Sequence, residues 1–75
     1  MKRNLTVESM MFRFEDGRMV SVTFCDGEVI NKIEVTFFCR SNGRTYSEHT
    51  IPYTKDSHKR IMNHILACGG RLSTW

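Results

Sequence analysis

The sequence is short of the features that usually announce a function. No apolar run approaches the ~18 residues needed to span a bilayer. The basic start, Met1-Lys2-Arg3-Asn4, is followed by no apolar stretch of the signal-peptide kind. The expectation is a soluble cytoplasmic protein with no membrane partner. Cysteine is scarce and spread out: Cys25, Cys39 and Cys68 are odd in number, with no close pair. A small extracellular domain is normally stapled by an even set, so reduced thiols are expected. Cys25 and Cys39, each beside a strand end, leave one bridge open. There is no internal repeat, linker or low-complexity segment.

The sparse cysteines and histidines also argue against a metal. Structural zinc ligands come in pairs about two to four residues apart. Cys25, Cys39, His49, His58, His64 and Cys68 offer no such knuckle. His58 and His64 fall on different helical faces. His64 and Cys68 form an i, i+4 pair with nothing to complete a coordination sphere. No cofactor is implied either. The chain has no phosphate-binding glycine loop, and Gly69-Gly70 ends a helix rather than opening one, where the dipole is of the wrong sign for anions. Cys25 and Cys39 look like strand-end or core residues, and buried thiols are usually inert. So small a chain has little room for a pocket. A non-enzymatic protein is expected.

Charge of one sign is also in short supply. The net charge is +3 with a pI near 9.0. That argues against a DNA-mimic inhibitor, which needs a strongly acidic surface. It permits a polyanion partner without requiring one. Seventy-five residues make one domain, with residues 1–4 and 73–75 as loose tails. A domain of this size buries roughly 60% of its unfolded surface and is marginally stable. Its 40% hydrophobic content suffices for one core.

What the chain does have is turn chemistry. Asp16-Gly17 and Asn42-Gly43 each separate alternating apolar runs, a strong hairpin signal. Leu5–Phe14 reads as a first strand. Met10, Phe12 and Phe14 share one side, whereas Leu5 and Val7 are out of phase. Either a bulge near Glu8-Ser9 restores the phase or residues 5–7 lie outside the strand. A three-residue loop, Glu15-Asp16-Gly17, opposes Phe12 with Val20 and Met10 with Val22. A two-residue loop would scatter the apolar residues over both sides, so the longer loop is preferred, with Gly17 left-handed. The second strand is Arg18–Cys25, with Val20, Val22 and Phe24 inward. Asp26–Asn31 connects it to a third, Lys32–Arg40, with Ile33, Val35, Phe37 and Cys39 on the core side. A two-residue Asn42-Gly43 turn then pairs Arg40 with Thr45, Cys39 with Tyr46 and Phe38 with Ser47. The fourth strand is polar and belongs at an edge. This register leaves Glu48 on the core side beside Phe37, a conflict that an edge position or a shift at the turn would relieve.

Pro52 ends the fourth strand. Thr54 or Asp56 can cap a helix from about Ser57 to Cys68. His58, Ile61, Met62, Ile65, Leu66 and Cys68 form its apolar stripe, with Lys59, Arg60, Asn63 and His64 opposite. Ile61, Ile65 and Leu66 are expected to be buried. Gly69-Gly70 stops the helix. Leu72–Trp75 is either a short packed strand or a loose tail. The fold class is therefore α+β: an antiparallel sheet of about four strands with one C-terminal helix packed on one face, ββββα.

A sheet with one helix has a second face to account for. On these registers it carries Met11, Arg13, Thr23, Thr36, Phe38, Arg40, Thr45, Ser47 and His49, and Arg40 and Arg44 flank the Asn42-Gly43 turn. Phe38 can stack a base while the arginines hold phosphates. A β-ribbon inserted into a major groove is the other geometry. The sequence signature of the RNA-recognition motif is absent, as is the N-terminal helix of a double-stranded-RNA domain. The residues expected to bind nucleic acid or a partner are Arg13, Phe38, Arg40, Arg44, Thr45 and His49. The plain alternative is that Phe38 lies under Trp75 or the N-terminal tail, or is one scattered apolar residue. A different class fits the same residues: Met11, Met19 and Phe38 as an apolar patch for a protein partner or a homodimer. Regulatory binding is common to both, with nucleic acid favoured.

Overall fold

The computed structural model describes residues 4–73. Its elements are β1 (Thr6–Arg13), β2 (Arg18–Asp26), β3 (Asn31–Cys39), β4 (Thr45–Ile51), α1 (Lys55–Ala67) and β5 (Arg71–Ser73). The strands form one antiparallel sheet in the order β4-β3-β2-β1-β5. The helix covers one face, so the architecture is α+β, with a fifth strand beyond the four expected.

The first hairpin has the expected register, Phe12 opposite Val20 and Met10 opposite Val22. Gly17 sits at φ +93°, the left-handed position the three-residue loop demands. The loop is closed by the Phe14 N–H donating to Arg18 O at 2.9 Å and the Gly17 N–H donating to Phe14 O at 3.2 Å. No bulge restores the phase, and of residues 5–7 only Leu5 lies outside the strand. β1 pairs with β2 without a bulge back to Thr6 opposite Asp26, and Val7 simply faces away from the helix, 55% exposed.

Gly27 opens the β2–β3 connection for a different reason than a reversed φ. It is not among the positive-φ glycines, which are Gly17, Gly43 and Gly69. A Cβ there would stand 2.9 Å from Leu5 Cδ1 and 3.0 Å from Ile30 O. Close approach of two chain segments is what excludes a side chain.

The second hairpin departs from expectation. Phe38 pairs with Thr45, not Ser47, and Cys39 donates its N–H to Arg44 O at 2.9 Å. Arg40–Gly43 is therefore a four-residue loop, closed by the Gly43 N–H donating to Cys39 O at 2.8 Å. A register shift between Phe37 and Phe38 then brings Ser47 opposite Phe37, Glu48 opposite Thr36 and His49 opposite Val35. This removes the conflict at Glu48, which now faces away from the helix. Ser47 and His49 move the other way, to the helix side. A carboxylate beside Phe37 would cost more than the unpaired residue a bulge creates.

The core is Phe12, Val20, Val22, Phe24 and Ile33 from the sheet and Ile65 from the helix. Thr54 is the N-cap, accepting the Ser57 N–H at 2.9 Å. Ile65 is 5% exposed, and Ile61 and Met62 are half-buried beside it. Leu66, expected inside, is 47% exposed. It lies at the margin of the helical stripe, and a single helix on a twisted sheet seats only the stripe's centre. His58 packs flat on Phe24, ring centroids 3.9 Å apart, and its Nδ1 lies 3.1 Å from the Tyr53 hydroxyl.

The helix ends in a Schellman motif. Gly69 N–H donates to Leu66 O at 3.1 Å and Gly70 N–H to Ile65 O at 2.9 Å, with Gly69 at φ +97°. The reversal sends Arg71–Ser73 back along β1. The end of the chain is thus a short strand as far as Ser73, which belongs to the sheet and not to a tail. Trp75, weighed as a cover for Phe38, lies outside the described residues.

Candidate nucleic-acid interface

The face away from the helix is organised in rows that run across the strands. One row reads Arg71, Arg13, Met19, Phe38, Thr45 from β5 to β4, each residue the direct cross-strand partner of the next. The next row inward reads Ser73, Met11, Ser21, Thr36, Glu48. Beyond it, Ser9, Thr23, Glu34 and Thr50 follow, with Ser9 and Thr23 hydroxyls 3.1 Å apart and Glu34 bound to Lys32 at 2.7 Å. Cations and an aromatic ring are concentrated in the first row. Carboxylates lie toward β3 and β4 in the rows behind it.

The first row stands at the end of the sheet where the β1–β2 and β3–β4 turns, the helix C-terminus and the start of β5 meet. Five of the chain's seven arginines are there: Arg13, Arg18, Arg40, Arg44 and Arg71. Arg18 is engaged locally. Its Nε reaches Asp16 Oδ2 at 2.6 Å, and its guanidinium carbon lies 4.9 Å from the Phe14 ring centroid. The Arg18 backbone N–H, ahead of its guanidinium, holds the Asp16 carboxyl below its ordinary value of 3.8. Among the described residues, none of the other four arginines is in a salt bridge. The Arg40 N–H donates to Gly17 O at 3.1 Å, tying the two turns together. Arg13, Arg40 and Arg71 share a cleft of about 170 Å³ with Phe14, Glu15 and Gly69.

The residues expected at the site divide accordingly. Arg13, Phe38 and Thr45 are aligned in one row, and Arg40 lies beside it over the first turn. Arg44 stands opposite Cys39 just before β4, a register position of the other face. His49 is on the helix side, where its ring meets Phe37 edge-on at 6.2 Å and its Nε2 lies 2.7 Å from Ser47 Oγ. Sequence reasoning missed Arg71. The double glycine after the helix was the available signal, because a Schellman reversal there returns the chain toward the sheet. Met19 was misjudged as exposed: it is 7% exposed, between Arg13 and Phe38. Met11 and Phe38 are half-buried, so the three do not make an open apolar patch.

One thiol belongs to the same end of the molecule. Cys39, opposite Arg18, lies 3.1 Å from Ser41 Oγ. That hydroxyl, with the backbone N–H groups of Ser41 and Asn42, holds the thiol below its ordinary value of 9.0 against the effect of burial. No helix of the described residues is long and apolar enough to cross a membrane. No family model, curated protein or solved structure matches the chain. The geometry of this face is therefore the basis for any functional assignment.

Proposed function

We propose that this protein binds a nucleic-acid strand across the sheet face its helix leaves uncovered, and that it acts by binding rather than by catalysis. The observation that carries this is the row Arg71–Arg13–Met19–Phe38–Thr45 with Arg40 at its side. Five strands at ~4.8 Å spacing make a track about 19 Å long. Phosphates belong at its arginine end, and a base stacks on the Phe38 ring toward the other end. Thr45 adds a hydroxyl at the far end. The acids Glu34 and Glu48 in the rows behind confine a polyanion to this edge of the face. The modest net charge of +3 is no obstacle, because the arginines are gathered and not spread.

A single-stranded geometry fits better than insertion into a major groove. Arg13 and Arg71 lie on strands in one row of the face, and of the three only Arg40 stands in a hairpin loop, whereas groove reading needs the arginines together at a hairpin tip. The test is a titration of mixed-sequence single and double strands at several salt concentrations. Binding of single strands with a steep salt dependence supports the proposal. No binding at low salt removes it.

A protein partner has a separate observation in its favour. At the opposite end of the sheet, Leu5, Val7, Val29 and Ile30 are 46%, 55%, 82% and 45% exposed. This is the apolar surface the expected Met11–Met19–Phe38 patch does not supply. Co-purification from lysate that survives nuclease and is lost in Val29→Ser would favour this second reading.

A further inference from the structure

We infer that the cleft formed by Arg13, Arg40 and Arg71 is a site for a terminal phosphomonoester of a nucleic-acid strand, an inference that rests on the nucleic-acid reading above. Three observations lead to it. The first is convergence. The three arginines come from the end of β1, the β3–β4 loop and the start of β5, segments far apart in the chain, yet they line one cleft. Among the described residues none of them is in a salt bridge, although Glu15 lines the same cleft. Unneutralised guanidinium groups lining one cleft repel one another, and an anion between them lowers that cost.

The second is size. The cleft measures about 170 Å³. That is below the ~300 Å³ at which pockets begin to hold whole drug-sized ligands. A five-heavy-atom phosphate group with its hydration fits. The nucleoside attached to it would lie along the row toward Phe38.

The third is charge. Three arginines and Glu15 leave a formal +2 at the cleft. A backbone diester carries one negative charge, whereas a phosphomonoester carries about −1.5 to −2 at neutral pH. A terminal phosphate is the better match, and it also sets where the strand begins. The helix C-terminus nearby presents the unfavourable end of its dipole, which the three guanidinium charges must outweigh. Its Ile65 and Leu66 carbonyls accept the Gly70 and Gly69 N–H groups, and Arg71 Nη1 donates to Gly70 O at 3.2 Å.

The experiment compares a short oligothymidine strand carrying a phosphate at one end, at the other end, or at neither. It is run by fluorescence anisotropy, with inorganic phosphate titrated separately and followed by NMR of the arginine side chains. The expected result is about tenfold tighter binding of one phosphorylated form, with the preference abolished in Arg40→Gln and in Arg71→Gln. Arg40 lies in a loop, so its substitution keeps the test valid if Arg71→Gln disturbs β5. Equal affinity for all three strands overturns the inference while leaving the nucleic-acid reading intact. Binding of inorganic phosphate at Arg13, Arg40 and Arg71 with no affinity for any strand supports the phosphate site and removes the nucleic-acid reading. No response of these arginines to any phosphorylated probe overturns the site itself.

Discussion

Arg13 and Arg71 are direct partners across the β1–β5 ladder, a like-charge pair with no carboxylate in salt-bridge contact among the described residues. Directly opposed like charges destabilise a sheet by a few tenths of a kcal/mol up to about 1 kcal/mol. Positions that break a local rule without local compensation are where function is to be sought. The expected outcome is that Arg71→Thr raises stability, by ~0.2–1 kcal/mol in urea unfolding at low salt, while weakening binding to polyanions. A loss of stability would mean that the arginine's stem packs usefully on β1, and the pair would no longer point to function.

The helix seam makes a sharper stability prediction. Ile65→Ala should cost about 2–5 kcal/mol, enough to unfold much of a chain this small. Leu66→Ala, at an exposed position, should stay within about 0.5 kcal/mol. Chemical denaturation of both variants separates a helix held by the stripe's centre from one held by its whole width. Thr54→Ala removes the cap and should cost about 1 kcal/mol.

The glycines should respond for two different reasons. Gly43 has open space around its missing Cβ but sits at φ +69°, so Gly43→Val is strained by backbone alone. Gly70 is not at positive φ, yet a Cβ there would stand 2.6 Å from Ile65 Cγ2 and 2.9 Å from Ile65 O. Gly70→Ala should therefore cost roughly 1–3 kcal/mol through overpacking, and a stable Gly70→Ala protein would show that the helix end can move away from β5. Gly43→Asn, which tolerates the left-handed region, should recover most of the loss in Gly43→Val.

How far the fold could be read from the chain depended on how strongly each segment distinguishes its two sides. In the first hairpin, Met10, Phe12, Val20 and Val22 can all be buried only in one register, and Gly17 agrees with it. β4 has no such signal. Thr45 to Thr50 is polar on both sides, so the Asn-Gly pair alone suggested a two-residue loop. The position of Glu48 was the clue that the register had to change. β5 was left open between a short strand and a tail because three residues carry no periodicity, and its place beside β1 depends on where the helix ends. The candidate site suffered from both gaps. Arg13, Phe38 and Arg40 were legible from strands with a clear core side, His49 was carried to the wrong face by the β4 register, and Arg71 was lost with β5.

Two titrations test the turn end. The Asp16 carboxyl, held low by the Arg18 backbone N–H and guanidinium, binds its proton less readily folded than unfolded. Its contribution to stability is therefore present above the ordinary value of 3.8 and is lost as pH falls through the folded value. Carboxyl NMR titration should place Asp16 below 3.8, and Arg18→Gln should raise it while leaving the backbone bond in place. Cys39 should alkylate with a midpoint below 9.0 that returns toward it in Ser41→Ala. A midpoint unmoved by Ser41→Ala would mean that the hydroxyl does not serve the thiolate.

The corrected register yields the most direct test of the face. Phe38 and His49 were both expected at the interface, yet they stand on opposite sides of the sheet. Phe38→Ala should weaken single-strand binding by ~1–3 kcal/mol through lost stacking, with the salt dependence unchanged. Arg13→Gln and Arg40→Gln should each flatten the salt dependence by about one slope unit, because each removes one phosphate contact. His49→Ala should alter neither quantity, since its ring packs against Phe37 on the helix side. If His49→Ala weakens binding as much as Phe38→Ala, the ligand lies around the β4 edge and not along the row. If Phe38→Ala abolishes a salt-insensitive complex instead, the face serves a protein partner.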